Sequence, residues 1–197
     1  MIIDDGTGHG FQAKVDDEYN LHTRSVRTHE VTYATLMAEA FSTVYGAINL
    51  TSANESALAL ALWQETDNPI VIFRQIMSFG PSTGGAGLCR VRMIRNPTGG
   101  TLISNGTAIT PVNGNFGSSA VPGGTWKKGA EGSTVTGGTN VMDLGIGPNY
   151  VLNETDINWI LANNNSMAIA ITPPPGNTGM NVYLHENFYK VDQKSVL

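Results

Sequence analysis

Several short stretches of the chain alternate apolar and polar residues, which is the pattern of β-strands that bury one face. The clearest of them cover residues 56–64, 70–79, 88–95 and 166–172. Turn-forming runs rich in Gly, Pro, Asn and Thr separate these stretches, as at 80–85 and 96–100. About eight short strands with turns between them predict an all-β domain, an antiparallel β-sandwich or a jelly-roll-like fold.

The phase of each stretch predicts which residues face the core. At 88–95 the apolar phase holds Cys89, Val91 and Met93, and the other phase holds Arg90 and Arg92. At 166–172 Met167, Ile169 and Ile171 lie opposite Ala168 and Ala170. Both strands are therefore expected to turn their larger apolar side chains inward.

The stretches 56–64 and 70–79 are separated by a turn signal at 65–69, so they are predicted to pair as an antiparallel hairpin. In the first stretch, one predicted face holds Leu58, Leu60 and Leu62, and the other holds Ala57, Ala59 and Ala61. Both faces of this strand are expected to be covered, since both are apolar.

The stretch 31–44 is ambiguous. Its apolar residues follow helical i, i+3, i+4 spacing and form one stripe: Tyr33, Leu36, Met37, Ala40, Phe41 and Val44. Thr and Val are frequent, however, and no capping box marks a start. One short helix here and no helix at all are equally compatible with the pattern.

The segment 101–147 is rich in Gly, Thr, Ser and Asn and has only short apolar pieces. It is predicted to be a long loop region with edge strands. Long loops in compact domains usually make contacts or carry function.

Residues 1–28 differ from the rest and are predicted to be an extended N-terminal arm or hairpin, followed by a β-sandwich domain at 29–197. The arm contains apolar residues but too few for a core of its own; they are Ile2, Ile3, Phe11, Val15 and Leu21. We expect another surface to bury these five, which makes them the candidate protein-interaction residues. The alternative is that the arm packs on its own domain.

Composition and charge exclude several classes of function. The net charge is −5, and Lys127-Lys128 is the only adjacent basic pair, so a dedicated nucleic-acid binder is not expected. No apolar run is long enough to cross a membrane, and the first residues lack the pattern of a secretory signal. With one cysteine there is no internal disulfide.

Motifs for catalysis or cofactor binding are missing from the sequence. Cys89 lies in the apolar phase of its strand, so we interpret it as a core residue. The four histidines form no chelating pair, and Asp16, Glu18 and Asn20 lack the Gly and Glu that complete a calcium loop. No phosphate-binding loop or nucleophile elbow occurs. No enzyme activity, cofactor, metal or small-molecule substrate is therefore expected.

Seven segments, in order along the chain, resemble a group of small structural virion proteins of tailed bacteriophages. They are IDDGTG at 3–8, AKVD at 13–16 with Leu21, LTSANESA at 50–57, GPSTGG at 80–85, NPTGGT at 96–101, NFGSS at 115–119 and PPGNT at 174–178. The resemblance implies a capsid decoration (cement) protein on the virion surface, made in the bacterial cytoplasm. Its implied partner is the major capsid protein.

Self-association into a homotrimer is also expected, because sandwich modules of this kind often close with cyclic symmetry. Two alternatives stay open. A neck, tail or tail-fibre module that binds a receptor or glycan predicts exposed aromatic residues on one face, such as Trp126, Trp159 or Tyr150. A β-fold hydrolase would use carboxylates that are brought together only in space.

Overall fold

The computed structural model describes residues 2–4, 12–15, 21–22, 30–66 and 68–191. The chain divides into two compact units, Met1–Glu30 and Val31–Leu197. The first unit contains an antiparallel sheet in the order β1-β2-β3, made of β1 (Ile2–Asp4), β2 (Gln12–Val15) and β3 (Leu21–His22).

The second unit is built mainly of strands, with two short helices in its described part. The elements are α1 (Glu30–Leu36, beginning one residue before the unit), β4 (Ala40–Leu50), β5 (Ser56–Trp63), β6 (Ile70–Phe79), β7 (Cys89–Arg95), α2 (Thr101–Asn105), β8 (Thr107–Ile109), β9 (Val112–Asn113), β10 (Gly124–Lys128), β11 (Thr139–Ile146), β12 (Val151–Leu161), β13 (Ser166–Thr172) and β14 (Met180–Lys190).

These strands form two antiparallel sheets. One has the order β12-β6-β14-β4-β9, and the other has the order β11-β7-β13-β5-β10-β8. From β4 to β7, and again from β11 to β14, each strand lies in the other sheet from its predecessor. Eight longer strands that alternate in this way between two sheets make a jelly roll. The prediction of an all-β antiparallel sandwich is confirmed.

The main core lies between the two sheets and takes residues from both. Its aromatic centre joins Trp126 of one sheet to Phe188 of the other, with the rings stacked at 4.7 Å. Trp63 meets Trp126 edge-on, and Phe41 stacks on Phe188. Large aromatic side chains bury much apolar area, so these contacts hold the two sheets together.

The outer faces of both sheets are partly covered. Leu102 of α2 is fully buried over small residues of the six-stranded sheet, including Ala57, Ala168 and Ala170. Ala34 of α1 joins a second small cluster on the five-stranded sheet. Alanine at these positions leaves room for the covering segments to approach closely.

Two predictions for β5 are wrong. A β-bulge at Leu58 shifts the register, so that Leu58 enters the main core while Leu60 faces the layer under α2. The three leucines therefore do not share one face. The hairpin between β5 and β6 is also wrong, because the two strands belong to different sheets. The inward phases predicted for β7 and β13 are confirmed.

The helix suggested for 31–44 is correct only for its first part. The chain is helical over Glu30–Leu36, and Ala38 then adopts a positive φ of 60° that ends the helix. Ala40, Phe41 and Val44 belong to β4. The segment 101–147 is likewise more structured than predicted, since it contains α2 and the strands from β8 to β11.

Candidate functional site

A groove of about 310 Å³ opens between one edge of the five-stranded sheet and one edge of the six-stranded sheet. The two edge strands are β12 and β11, which follow each other in the chain. Six of the lining residues define it: Arg95, Val141, Trp159, Ile160, Asn165 and Met167. We refer to this feature as the edge groove.

The edge groove and the strands beside it expose apolar side chains. Ile160 is 68% exposed and Val141 is 45% exposed, and Leu144 and Val151 are exposed nearby in sequence. Exposed apolar side chains beside a groove are typical of an interaction site. The floor reaches the core, since Met167 and Leu161 are buried members of the main cluster.

Arg95 is the charged member of the groove lining. It continues the inward phase of Cys89, Val91 and Met93 at the end of β7, where the space between the sheets opens. Within the described ranges 30–66 and 68–191, Arg95 has no hydrogen-bonded or ion-paired side-chain partner. Other arginines there do have partners: Arg90 with Asp143, Arg92 with Glu55 and Arg74 with Asn153.

The polar rim of the groove is held by its own hydrogen bonds. Asn96 donates from its amide to Oδ1 of Asn165 at 2.9 Å and accepts from the backbone N–H of Ser166 at 2.8 Å. Asn96 has a positive φ of 49°, a conformation that Asn tolerates better than most residues. These contacts fix the turn before β13, so the rim is preformed.

A second polar feature is buried among the apolar side chains of the core. Glu186 pairs across β14 with Thr43 on one side and Gln75 on the other. Its Oε2 accepts a hydrogen bond from the Tyr45 hydroxyl at 2.9 Å, and its Oε1 accepts one from Nε2 of Gln75 at 3.1 Å. Oγ1 of Thr43 and Oε1 of Gln75 have no partner among the described residues.

Burial raises the pKa of Glu186 to about 7, although the hydrogen bonds from Tyr45 and Gln75 act in the opposite direction. Burial also raises the pKa of Tyr45 well above its ordinary value. Tyr45, Gln75 and Glu186 are all buried, so we assign the cluster a structural role and draw no chemistry for a substrate from it.

The outer surface of β14 has a serine–histidine contact. Oγ of Ser42 lies 2.6 Å from Nε2 of His185, and Nδ2 of Asn187 lies 3.4 Å from the same nitrogen. Burial, followed by the charge of Arg74, lowers the pKa of His185. A nucleophilic serine also needs a group that orients the base and donors for an oxyanion, and this contact lies on an open sheet face. Its geometry is that of a surface hydrogen-bond network.

Cys89 is fully buried and contacts the sulfur of Met180 at 3.5 Å, and burial raises the pKa of its thiol. The interpretation of Cys89 as a core residue is confirmed. In the described ranges, no three His, Cys, Asp or Glu side chains come together as a metal site. No helix of the described residues is long and apolar enough to cross a membrane.

The five predicted interaction residues belong to the first unit. Ile2 and Ile3 are in β1, Val15 is in β2 and Leu21 is in β3, where Val15 pairs with Leu21 and Ile3 pairs with Ala13. Positions 3, 15 and 21 therefore share one face of this sheet, and position 2 is on the other. Phe11 lies outside the described residues. Their role as a docking surface stays a prediction.

Sequence reasoning did not find the edge groove, although one signal was present. Arg95 is a charged residue in the apolar phase of a strand, and such a residue at a strand end points between the sheets. The receptor- or glycan-binding alternative predicts exposed aromatic residues on one face. Of the three residues named for it, Trp126 is buried, Trp159 lines the groove and is half-buried, and Tyr150 is exposed.

No family model and no curated protein matches the chain. Among solved structures, the chain is similar to a mutant VP2 protein of infectious bursal disease virus from derived T=1 particles. The two share 8% sequence identity with a TM-score of 0.18, and the match covers 80% of this chain and 41% of that protein. A TM-score this low does not establish a common fold.

Proposed function

We propose that this protein is a non-enzymatic structural component of a bacteriophage virion, a decoration protein that binds the major capsid protein lattice as a homotrimer. The observation that carries the proposal is the presence of exposed apolar side chains on the two edge strands that border the edge groove. Val141 and Leu144 are on β11, and Val151 and Ile160 are on β12. Exposed apolar side chains on sheet edges favour a partner that covers them.

The sequence resemblance and the fold support the same proposal. The segments similar to virion proteins include 96–101 and 174–178, which form turns at the ends of β7 and β13. Jelly rolls are frequent in viral capsid proteins, but lectins and cupins share the fold, so the fold supports the proposal by analogy alone.

Particle binding by the full chain tests the proposal. Purified protein is added to capsid shells assembled from the major capsid protein alone, and the bound fraction is measured by sedimentation. We expect saturable binding at a fixed copy number per capsid hexamer and a higher temperature of shell disruption. Light scattering after size exclusion should give the mass of a trimer for the free protein in solution. No binding, or binding that never saturates, would refute decoration.

The N-terminal arm is tested in the same assay. Deletion of residues 2–27 should leave the thermal unfolding of the sandwich unchanged and abolish binding to the shells. A control variant outside the arm, Arg74→Gln on β6, should bind normally. Unfolding of the sandwich in the deletion variant would contradict the docking role of Ile2, Ile3, Phe11, Val15 and Leu21.

A receptor- or glycan-binding tail module is the second candidate. The observation that favours it is Trp159, whose ring lines the edge groove together with Arg95 and Asn165. Aromatic rings and hydrogen-bonding side chains are a common lining of small-ligand sites. Saturable binding of a glycan at micromolar concentration, lost in Trp159→Ala, would favour this function over decoration.

A further inference from the structure

We propose that the edge groove binds an extended segment of a partner chain in which a carboxylate side chain alternates with apolar side chains. This inference rests on the proposed structural function and names the partner chemistry of that site. Three features of the groove carry it: a sheet edge and an arginine that both lack a partner among the described residues, and an apolar floor.

The free edge comes from the sheet topology. β12 pairs with β6 on one side and ends the five-stranded sheet on the other. An edge strand leaves alternate backbone N–H and C=O groups available, and an added strand can pair with them. Trp159, Ile160 and Leu161 pair regularly with β6, so this part of β12 has the geometry to accept a further strand.

β11, on the opposite side of the groove, does not offer a second regular row of backbone hydrogen-bonding groups. In β11 the pairing with β7 shifts between Asn140 and Met142, which makes Val141 the extra residue of a β-bulge. A bulge interrupts the row of hydrogen-bonding groups and re-aims its side chain. Val141 lines the groove instead of continuing a flat edge. The partner strand therefore adds to β12 and packs its side chains against Val141.

The positive charge of Arg95 favours a carboxylate side chain on the partner strand. Arg95 has no side-chain partner among the described residues, and the other lining residues are uncharged. A guanidinium group binds a carboxylate through two parallel hydrogen bonds, a geometry that Lys cannot reproduce. Because Arg95 continues the inward phase of β7, it meets a ligand that lies between the sheets.

The floor selects the neighbouring residues of the partner. Trp159 and Met167 present an aromatic ring and a flexible thioether, which adapt to different apolar side chains. Side chains on one face of a strand recur at every second residue. A partner strand that places Asp or Glu on Arg95 therefore places apolar residues two positions away on the same floor.

The probe is a positional-scanning library of acetylated hexapeptide amides, captured on the immobilised full-length protein at low ionic strength. We expect Asp or Glu to be enriched at one position, and Val, Ile or Leu two positions away. Binding of a selected peptide should protect Trp159 from acrylamide quenching, while Trp63 and Trp126 are already buried. Raising the salt concentration should weaken capture, since the pair is partly exposed.

Charge reversal gives the decisive comparison. Arg95→Glu should keep the thermal unfolding temperature, weaken the selected acidic peptide by about tenfold or more, and select Lys or Arg at the same position. Arg74→Glu, a matched change outside the groove, should keep the acidic preference. The proposal is overturned if no position is enriched, or if Arg95→Glu retains the acidic preference.

Two further outcomes separate this inference from the proposed function. If glucuronic acid or N-acetylneuraminic acid binds in an Arg95-dependent manner and no peptide is selected, the groove is a sugar site and the peptide proposal is wrong. If the peptide is bound but the capsid shells are not, the groove chemistry stands and decoration fails. If shells are bound by both the natural protein and Arg95→Glu while no peptide is selected, decoration stands and the groove proposal fails.

Discussion

The hydroxyl of Tyr45 donates a hydrogen bond to Oε2 of Glu186 at 2.9 Å inside the apolar core. A buried carboxylate with two neutral donors is only partly compensated for the loss of water, so its charged form is disfavoured. The pKa of about 7 follows from that burial. A neutral Glu186 has a hydroxyl to donate, and the amide of Gln75, 3.1 Å away, accepts it if its O and N exchange places.

The stability of the domain should therefore fall as the pH rises from about 4.5 to about 7. Below this range Glu186 is protonated in both the folded and the unfolded chain. Within it the unfolded chain loses a proton that the folded chain retains, so unfolding becomes easier by about 1.4 kcal/mol per pH unit. By about pH 7 the folded domain has lost about 3 kcal/mol of the stability that protonated Glu186 gives it at low pH.

Urea unfolding of the natural protein and of Glu186→Gln at several pH values measures this effect. The lowered pKa of His185 acts in the opposite direction, because the folded chain then binds fewer protons than the unfolded chain. The difference between the two proteins removes that contribution, since both contain His185. Parallel pH profiles would show that Glu186 ionises normally in the fold.

Strand phase could be predicted from the sequence where each residue depends only on its neighbours in the chain. Cys89, Val91 and Met93 enter the core as alternation predicts. Leu58 and Leu60 separate because a bulge depends on the register with β13, more than a hundred residues away. A strand's own sequence does not contain that register.

Which strands pair with each other could not be predicted from the sequence either. β5 and β6 follow each other closely, and a hairpin is the usual solution for such neighbours. In this fold both have apolar faces to bury, and placing them in opposite sheets covers both. The edge groove could not be predicted for the same reason: Arg95 and Trp159 are far apart in the chain and meet only because β11 and β12 end the two sheets on one side.

Gly46 allows the inward-facing positions of β4 to shift from odd-numbered to even-numbered residues. Phe41, Thr43 and Tyr45 face inward, then Ile48 and Leu50 do, and Gly46 between them has a φ of 68°. We expect Gly46→Ala to destabilise the domain by about 1 kcal/mol, because an L-residue is strained in this conformation.

The cost for Gly46→Ala should come from the backbone alone, since a Cβ there would approach only Nζ of Lys128, at 3.6 Å. Ala38, whose φ is 60°, offers the reverse change. Ala38→Gly should stabilise the domain by about 0.5 kcal/mol. Thermal unfolding of the two variants checks both signs. A stabilised Gly46→Ala would contradict the role of Gly46 in the register shift that β4 makes against β14 opposite Leu184 and His185.

Cys89 should be inert in the folded protein. Its thiol is fully buried and burial raises its pKa, so little reactive thiolate reaches solvent. Ellman's reagent should not react with the native chain within hours and should react at once in urea. Reaction of the native chain in seconds would mean that β7 opens locally.

Trp63 and Trp126 provide a matched test of buried hydrogen bonding. Both are fully buried, but Nε1 of Trp63 donates to the backbone oxygen of Asn68 at 2.7 Å, whereas Nε1 of Trp126 has no partner among the described residues. The same substitution, Trp to Phe, removes an N–H from each. At position 63 it also leaves a carbonyl without its donor.

We therefore expect Trp63→Phe to destabilise the domain more than Trp126→Phe, by about 1–2 kcal/mol. The stacking of ring 126 on Phe188 survives in the second variant, because a phenyl ring can still lie parallel at that distance. Urea unfolding at pH 6 gives the two free energies. Equal losses would indicate that both indoles contribute only through the apolar area that they bury.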